Sequence, residues 1–262
     1  MKVLHLVDTL GLGGAQALLK GLFESESFDQ NYFLYALRKT DNQIKINHRN
    51  INCDQSIFKL SVFRLFRVKK FIKKHNIDIL HCHLPHSQIF GFLMKKFFFK
   101  NVTLVIHEHS DIYENNIILW LLDKMNRKVE KYIACSISVK NKLIKRTQIS
   151  QNQIEVLENF IDAKKLDYSK RLKERNHIRE REQLADDDFV LGFAGRIVAR
   201  KGWRELIAVA NNLNSEHTIY FYIAGAGPEE KQLKAQIKNE RIRFLGYISD
   251  MNWFYSIVDC IT

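Results

Sequence analysis

The sequence predicts an α/β protein with two Rossmann-like domains, because short apolar strands alternate with helices and this pattern starts twice. Each start has a strand, a glycine-containing loop and a helix, the first from Lys2 and the second from Phe189. Such a start opens a βαβ series, which forms a parallel sheet covered by helices. We therefore expect domains at 1–161 and 189–262 that face a central cleft, joined by a charged, partly helical linker at 162–188.

The first domain opens with the strand Lys2–Val7, in which polar and apolar residues alternate until Asp8 ends the run. This alternation indicates a strand and not a signal peptide. Gly13 and Gly14 follow in a loop that leads into the helix Ala15–Phe23. Glycines in such a loop either let the backbone approach a ligand or close a tight turn, and the sequence leaves both interpretations open.

A basic helical face is predicted in the segment Val62–Lys74. On a helix, Leu65, Val68 and Ile72 form one apolar arc. The opposite side carries five cations with two phenylalanines among them, namely Phe63, Phe66, Arg67, Lys69, Lys70, Lys73 and Lys74. Such a mixture is typical of a helix that lies on an anionic lipid surface. A solvated helix face, with the two rings tucked under a loop, is the alternative.

Histidines are concentrated near the ends of two neighbouring strands of the first domain: His81, His83, His86, His107 and His109. Neutral imidazoles from adjacent strands could surround a zinc ion. The other candidate ligands, Cys82 and Glu108, point to the opposite face of straight strands, so we predict no metal site. We expect the imidazoles to line the carboxyl edge of the sheet, where ligands of open α/β folds bind. For His81 and His83, local hydrogen bonds at the strand end are an alternative.

The second domain begins with a pattern that predicts phosphate binding. The apolar run Phe189–Ala194 is too short for a helix and indicates a buried parallel strand that ends at Gly195 and Arg196. We predict that Lys201 opens the following helix, Trp203–Leu213. Two cations and free backbone N–H groups around one crevice favour a diphosphate.

The next strand, Thr218–Ala224, ends in a similar way at Gly225 and Gly227. Because these positions have no side chain, a ligand can approach the backbone there. Turn glycines and solvated surface cations would explain either stretch alone. Two such strand ends in tandem indicate a phosphate-binding site more specifically than either stretch does alone.

The composition limits the compartment and the class of partner. The chain has 262 residues and a formal net charge of +12, which favours an anionic partner such as a nucleotide or a lipid surface. We expect no nucleic-acid binding, because no zinc-finger spacing, RNP-like strand or basic tail accompanies the charge. Four cysteines without a Cys-x-x-Cys pair indicate free thiols in a reducing cytosol. No apolar run approaches the length that spans a membrane.

Three motifs of the second domain resemble the signature of glycosyltransferase family 4. They are Gly-Arg-Ile-Val-Ala-Arg-Lys-Gly at 195–202, Ile-Ala-Gly-Ala-Gly-Pro at 223–228 and Arg-Phe-Leu-Gly-Tyr at 243–247. Weaker similarities follow the family's order through the first domain, at 11–16, 78–83, 105–107, 134–136 and 156–159. The resemblance implies a GT-B fold and a retaining transferase that uses a nucleotide sugar.

The resemblance also implies roles for single residues. His107 matches the family histidine near the transferred sugar, and Arg196 and Lys201 would stabilise the leaving diphosphate, so that no metal cofactor is required. Both cations and five glycines would bind the donor: Gly13, Gly14, Gly195, Gly225 and Gly227. The glycan or lipid-linked acceptor would meet His81, His83 and His109.

The same resemblance implies hexosyl transfer in bacterial surface polysaccharide or lipopolysaccharide synthesis, in the cytoplasm or at the inner face of the membrane. The family carries a pair of glutamates beyond a strand that here begins near Val258, whereas the sequence stops at Thr262. We therefore expect an incomplete second domain, and a non-catalytic remnant or binding subunit is one alternative. An NADP-dependent oxidoreductase is another, because Arg38 follows the second strand.

Overall fold

Two parallel sheets organise the chain, each in a unit of its own. The structure, a computed structural model, describes residues 1–25, 29–40, 43–55, 62–109, 116–160, 168–213, 217–248 and 251–262. The units are Met1–Asp162 and Ala163–Thr262. Within these described ranges, no helix combines the length and the apolar character that crossing a bilayer requires.

The first sheet has seven strands, all paired in parallel. They are β1 (Val3–Val7), β2 (Tyr32–Ala36), β3 (Ile51–Cys53), β4 (Ile79–His83), β5 (Thr103–Glu108), β6 (Lys131–Ala134) and β7 (Ile154–Val156). Their order across the sheet is β3-β2-β1-β4-β5-β6-β7. β1 therefore lies between β2 and β4, an order that is typical of a doubly wound sheet.

Helices connect most of these strands, as is usual between parallel neighbours. They are α1 (Gly14–Phe23), α2 (Val62–His75), α3 (Pro85–Phe97), α4 (Asn116–Met125) and α5 (Ile137–Arg146). Short 3-10 turns follow α4 at Asn126–Lys128 and α5 at Gln151–Gln153. The start of α5 is capped by Ser136, whose hydroxyl accepts a hydrogen bond from the amide of Val139.

The two faces of the first sheet differ in chemistry. One face packs on the main apolar core, to which the strands contribute Leu6, Leu80 and Ile106 and α2 contributes Val68 and Ile72. All five side chains are buried. The apolar arc predicted for α2 thus packs on the core, with Leu65 partly buried beside it. On the other face, α1 packs on the β1–β2 region, and the neighbouring surface of β1, β4 and β5 carries histidines.

The second unit has a four-stranded parallel sheet in the order β10-β9-β8-β11. Its strands are β8 (Phe189–Ala194), β9 (Ile219–Ala224), β10 (Ile242–Gly246) and β11 (Cys260–Ile261). Its helices are α6 (Tyr168–Arg181), α7 (Trp203–Asn212), α8 (Glu230–Gln236) and α9 (Met251–Ile257). Separate apolar clusters lie on the two faces, one around Trp203 and Phe221 and the other around Tyr222 and Phe254.

Helix α6 lies in the segment that we expected to be a linker, and the structure assigns it to the second unit. Arg175 donates a 2.9 Å hydrogen bond to the carbonyl of Ser256 and forms an ion pair with Asp259. Arg179 also pairs with Asp259, whose carboxylate accepts a 2.7 Å bond from the amide of Val190. The charges of α6 therefore fasten it to the start of β8 and the end of α9.

Helix α7 begins at Trp203, as predicted. Lys201, however, does not open this helix but lies in a 3-10 turn, Ala199–Lys201, because Gly202 separates the two with a left-handed φ of 72°. Strand β4 extends to His83, which pairs with His107 of β5.

Candidate active site

Each sheet has a point where strand order reverses, and ligands of such folds bind outside the carboxyl ends of the strands there. In the first sheet this point lies between β1 and β4, and in the second between β8 and β11. Asp8 leaves β1 and His86 follows β4 in the first unit. Gly195 and Arg196 leave β8 in the second.

Asp8 and His86 are joined across the reversal point of the first sheet. Oδ2 of the buried Asp8 carboxylate lies 2.9 Å from Nδ1 of His86, and Oδ1 accepts a 2.7 Å bond from the amide of Ser87. Because an ionised carboxylate only accepts hydrogen bonds, the neutral imidazole in this contact carries its hydrogen on Nδ1 and has its lone pair on Nε2. His86 is exposed and can offer this lone pair to a hydroxyl group.

The turn that carries His86 is conformationally strained. Leu84 has a φ of 89°, a region that side-chain-bearing residues rarely occupy. Pro85 then begins α3, where its missing N–H costs no hydrogen bond. The hydroxyl of Ser87 donates to the carbonyls of Leu84 at 2.8 Å and His83 at 3.1 Å. Strain of this kind persists only where surrounding contacts hold it, and it concentrates at functional sites.

Five imidazoles form a cluster on one face of the first sheet: His5, His81, His83, His107 and His109. Register explains the cluster, because His5 lies opposite His81 and His83 lies opposite His107 in parallel pairs. Neighbouring ring centroids are between 4.0 Å, for His107 and His109, and 5.4 Å, for His81 and His107. The sequence predicted that the histidine pairs of the two neighbouring strands lie together, but it missed His5 and included His86, which pairs with Asp8 instead.

Hydrogen bonds link only part of this histidine cluster. His83 lies 2.9 Å from His5 through Nε2 and 2.9 Å from His109 through Nδ1. Among the described residues, Nε2 of His81, both ring nitrogens of His107 and Nδ1 of His109 have no hydrogen-bond partner. Buried polar atoms are normally paired.

Burial keeps the histidine cluster uncharged. Desolvation lowers the pKa of His5 to about 3, that of His107 to about 2 and that of His109 to about 4, and neighbouring imidazoles add to the shift for His5 and His107. The pKa values of His81 and His83 are also well below the usual range, again mainly because of burial. All five rings are therefore neutral near pH 7 and can act as ligands or hydrogen-bonding groups.

Three loops come together at the carboxyl edge of the second sheet. The amide of Gly195 donates to the carbonyl of Ala224 at 3.0 Å, and the amide of Ile197 donates to Ala226 at 3.1 Å. The amide of Gly225 donates to the carbonyl of Gly246 at 2.7 Å. The loops at the ends of β8, β9 and β10 are thus joined by backbone hydrogen bonds into one layer, the backbone layer of the second unit.

Close backbone contacts account for Gly225 and Gly227. A Cβ atom on Gly225 would overlap the carbonyl oxygen of Gly195, and Gly225 also has a φ of 151°. A Cβ atom on Gly227 would overlap the backbone of Ile197. The sequence analysis attributed both glycines to the approach of a ligand, whereas the structure shows that contact between two protein loops already requires them.

Glu229 holds these loops and was missed by sequence reasoning. Its carboxylate accepts bonds from the amide of Ala199 at 3.0 Å and from Nε1 of the buried Trp203 at 2.8 Å. It also forms an ion pair with Arg204. No local sequence pattern predicts the role of this glutamate, because its partners are distant in the chain. Ala199, for example, lies 30 positions before it.

Like Arg200 between them, Arg196 and Lys201 are cations at this edge that remain available to a ligand. Both are exposed, and in the described part of the chain neither side chain forms a hydrogen bond or an ion pair. Arg196 directly follows Gly195, and Lys201 ends the 3-10 turn before α7. Free cations beside a backbone layer suit an anionic ligand.

The basic face of α2 is largely exposed, but one of its cations is paired with a carboxylate. Phe63 and Phe66 are 76% and 57% exposed. Arg67, however, donates two hydrogen bonds to Asp54, at 2.8 and 2.9 Å, and is therefore a structural cation and not part of a free basic surface. The sequence analysis missed the aromatic end of α3, where Phe98 lies under the ammonium group of Lys69, 4.2 Å from its ring centroid.

Comparisons with known proteins agree with these features. Residues 29–165 match the family described as Glycosyltransferase Family 4, and residues 174–262 match that described as Glycosyl transferases group 1. The capsular polysaccharide biosynthesis glycosyltransferase CapM of Staphylococcus aureus is 27% identical over 147 residues. This stretch is 53% of the present chain and 38% of the length of CapM.

Solved structures show the same fold. The structure of Anabaena HepE in complex with UDP and glucose aligns with 100% of this chain and 73% of its own, with a TM-score of 0.77 and 18% identity. The apo form of the lipopolysaccharide outer core galactosyltransferase WaaB aligns with the same coverage, a TM-score of 0.66 and 18% identity. These likenesses confirm the predicted α/β fold of GT-B type, and the matched families favour a transferase over the oxidoreductase alternative.

Proposed function

Since the chain belongs to glycosyltransferase family 4, we propose that it binds a nucleotide sugar and transfers its hexosyl unit, with retention, to a glycan or lipid-linked acceptor. The observation that carries this proposal is the pair of unpaired cations, Arg196 and Lys201, beside the backbone layer of the second unit. The curated relative CapM acts in capsular polysaccharide biosynthesis, and WaaB is a lipopolysaccharide galactosyltransferase. We therefore assign the chain to the assembly of a bacterial surface polysaccharide.

The donor diphosphate binds at the edge of the second sheet in this proposal. Arg196 and Lys201 neutralise the charge that develops on the leaving phosphate, which is electrostatic catalysis by groups already in position. The loops that carry them are held by Glu229, so little reorganisation is needed on binding. With two cations in this role, transfer needs no metal ion.

The acceptor binds at the edge of the first sheet. We assign Nε2 of His86, fixed by Asp8, to an acceptor hydroxyl group, and His107 to the transferred sugar. A leaving-phosphate oxygen takes the hydroxyl proton as the new glycosidic bond forms and the bond from the sugar to the phosphate breaks. His86 then positions the hydroxyl and need not remove its proton.

A lipid surface is the second partner that we propose. Among the described residues, the rings of Phe63, Phe66 and Phe97 are exposed, and they lie among the lysines of α2 and α3. Aromatic rings insert at the level of the lipid headgroups while lysines attract anionic lipid. Attachment of this kind would bring the chain to a lipid-linked acceptor.

A thermal-shift comparison of UDP-, GDP- and ADP-sugars tests donor binding, because a ligand of the native state raises the apparent stability. We expect one of the three to raise Tm, and Arg196→Ala or Lys201→Ala to weaken its binding by about 1.5–3 kcal/mol, the range of a charge-assisted hydrogen bond. Lys238→Ala is the control, since this exposed lysine follows the far end of α8. Equal affinity in all three variants contradicts the assignment. Binding without transfer to any acceptor would favour the non-catalytic alternative.

A further inference from the structure

We propose that His83, His107 and His109 form a binding site for one transition-metal cation of the Zn²⁺ class. The inference is independent of the donor and acceptor assignments. It comes from the histidine cluster. This cluster has more imidazoles, and shorter distances between them, than the binding of an acceptor hydroxyl group requires.

The geometry of the three rings carries the proposal. One ring nitrogen from each of His83, His107 and His109 lies within 4.8 Å of the other two. His83 and His107 are paired in register at the ends of β4 and β5, and Nδ1 of His83 is 2.9 Å from Nε2 of His109. Two nitrogens bound to tetrahedral zinc at about 2.0–2.1 Å are roughly 3.3 Å apart. Small ring rotations therefore bring the three nitrogens to bonding positions.

The unpaired nitrogens supply an independent reason for a ligand. His107 is 3% exposed, and neither of its ring nitrogens has a hydrogen-bond partner among the described residues. A cation accepts the lone pairs that the surrounding described side chains leave without a donor.

The protonation state and the outer contacts also suit a metal. Burial lowers the pKa of each of the three imidazoles, and metals bind the neutral form. His83 bonds to His5 through Nε2, so that its Nδ1 is held toward the other two ligands. A hydrogen bond on the second ring nitrogen is the usual outer contact of a metal-binding histidine.

The chemistry of the donor set selects the cation. Three imidazole nitrogens suit Zn²⁺, Co²⁺, Ni²⁺ or Cu²⁺, whereas Mg²⁺ and Ca²⁺ prefer oxygen ligands. Three protein ligands leave a fourth position for water. The sequence analysis rejected a metal because Cys82 and Glu108 point away. The structure removes that objection, since a third imidazole takes the place of either residue.

Cobalt titration of the complete chain tests the site. Tetrahedral Co²⁺ absorbs visible light more strongly than octahedral aqueous Co²⁺, so we expect visible bands that saturate at one equivalent and that Zn²⁺ abolishes by competition. The four cysteines are not ligands in this proposal. The wild-type spectrum should therefore lack the near-ultraviolet charge-transfer band of a cobalt–thiolate bond.

Variants make the test specific. His107→Gln and His109→Gln should each weaken Co²⁺ and Zn²⁺ binding more than about tenfold, because removing a ligand costs at least as much as the 10–100-fold typical of an outer contact. His177→Gln, at an exposed position of α6, is the control and should leave both affinities unchanged. His109→Cys should restore binding and add the charge-transfer band of a thiolate ligand, which separates loss of a ligand from loss of the fold.

Three results would overturn the proposal: no tetrahedral cobalt spectrum, equal affinity in His107→Gln and His177→Gln, or a thiolate band already present in the wild-type protein. A consequence for transfer follows when this site is combined with the proposed contact between His107 and the transferred sugar. A metal bound to His107 withdraws it from the sugar, so micromolar Zn²⁺ should inhibit transfer and a chelator should restore it. Activation by Zn²⁺ would contradict this consequence.

Discussion

The Asp8 carboxylate is bonded to His86 at 2.9 Å, although the two residues lie 78 positions apart in the sequence. The bond connects the end of β1 to the start of α3 across the reversal point of the first sheet. It places an oriented imidazole where open α/β sheets bind ligands.

Replacing Asp8 by Asn should reverse the tautomer of His86. The amide can donate to Nδ1, so that the imidazole hydrogen moves to Nε2 and the lone pair is lost from the exposed side of the ring. Loss of the charged acceptor for the Ser87 amide should lower the free energy of unfolding by about 1–2 kcal/mol.

Nitrogen-15 NMR of the histidine rings checks the tautomer, with His86→Gln used to assign the signal, and urea unfolding checks the stability. A protonated Nδ1 on His86 in both the wild-type protein and Asp8→Asn would show that the carboxylate does not orient the ring.

Replacing Gly225 by Ala should destabilise the second unit by more than about 2 kcal/mol, since the new Cβ would overlap a carbonyl oxygen in addition to adopting an unfavourable φ. Gly246→Ala is the matched control. Gly246 also has a positive φ, of 69°, but no atom lies within 4 Å of its added Cβ, so the expected cost is about 1 kcal/mol. Chemical denaturation of both variants measures the difference, and equal losses would mean that the loop contact relaxes without cost.

Cys82 and Cys260 should differ in reactivity toward a thiol reagent. Cys82 is fully buried, and burial raises its thiol pKa far above the usual range. Because the thiolate is the reactive form, Cys82 should react only when the first unit unfolds. Cys260 is exposed and should react quickly in the native protein. Mass spectrometry after timed labelling identifies the modified residue, and rapid labelling of native Cys82 would contradict the packing of β4 against the core.

Vesicle binding should depend on the lysines of α2. Changing Lys69, Lys70, Lys73 and Lys74 to Gln should abolish binding to anionic vesicles, because each lysine near the surface contributes about 1 kcal/mol. Binding by the wild-type chain should also weaken at high ionic strength. A cosedimentation assay measures both effects.

The control for this prediction carries the same change of charge at four exposed lysines on other elements: Lys128, Lys145, Lys231 and Lys238. It should retain most of the binding. Equal losses in the two quadruple variants would indicate attraction by net charge alone, and wild-type binding to neutral vesicles would contradict an electrostatic contribution.

The local residue pattern was sufficient to predict several of the helices and strands. The alternation in β1, the apolar run of β8 and the arc of α2 each follow from the residues of that segment and its own periodicity. The local pattern did not, however, separate Lys201 from the start of α7. A left-handed glycine such as Gly202 can continue a loop as well as begin a helix, and only the surrounding contacts select one conformation.

The sequence by itself determined that this chain has two α/β units, that cations follow the strand ends of the second and that histidines gather near those of the first. Only the tertiary structure decided which of these groups meet. Strand order in a parallel sheet is set by packing between distant segments, so the approach of Asp8 to His86, of Glu229 to Trp203 and of His5 to His83 has no local signature. It likewise decided that Arg67 is bound by Asp54 while Arg196 is not paired within the described residues, because an ion pair depends on which element packs alongside.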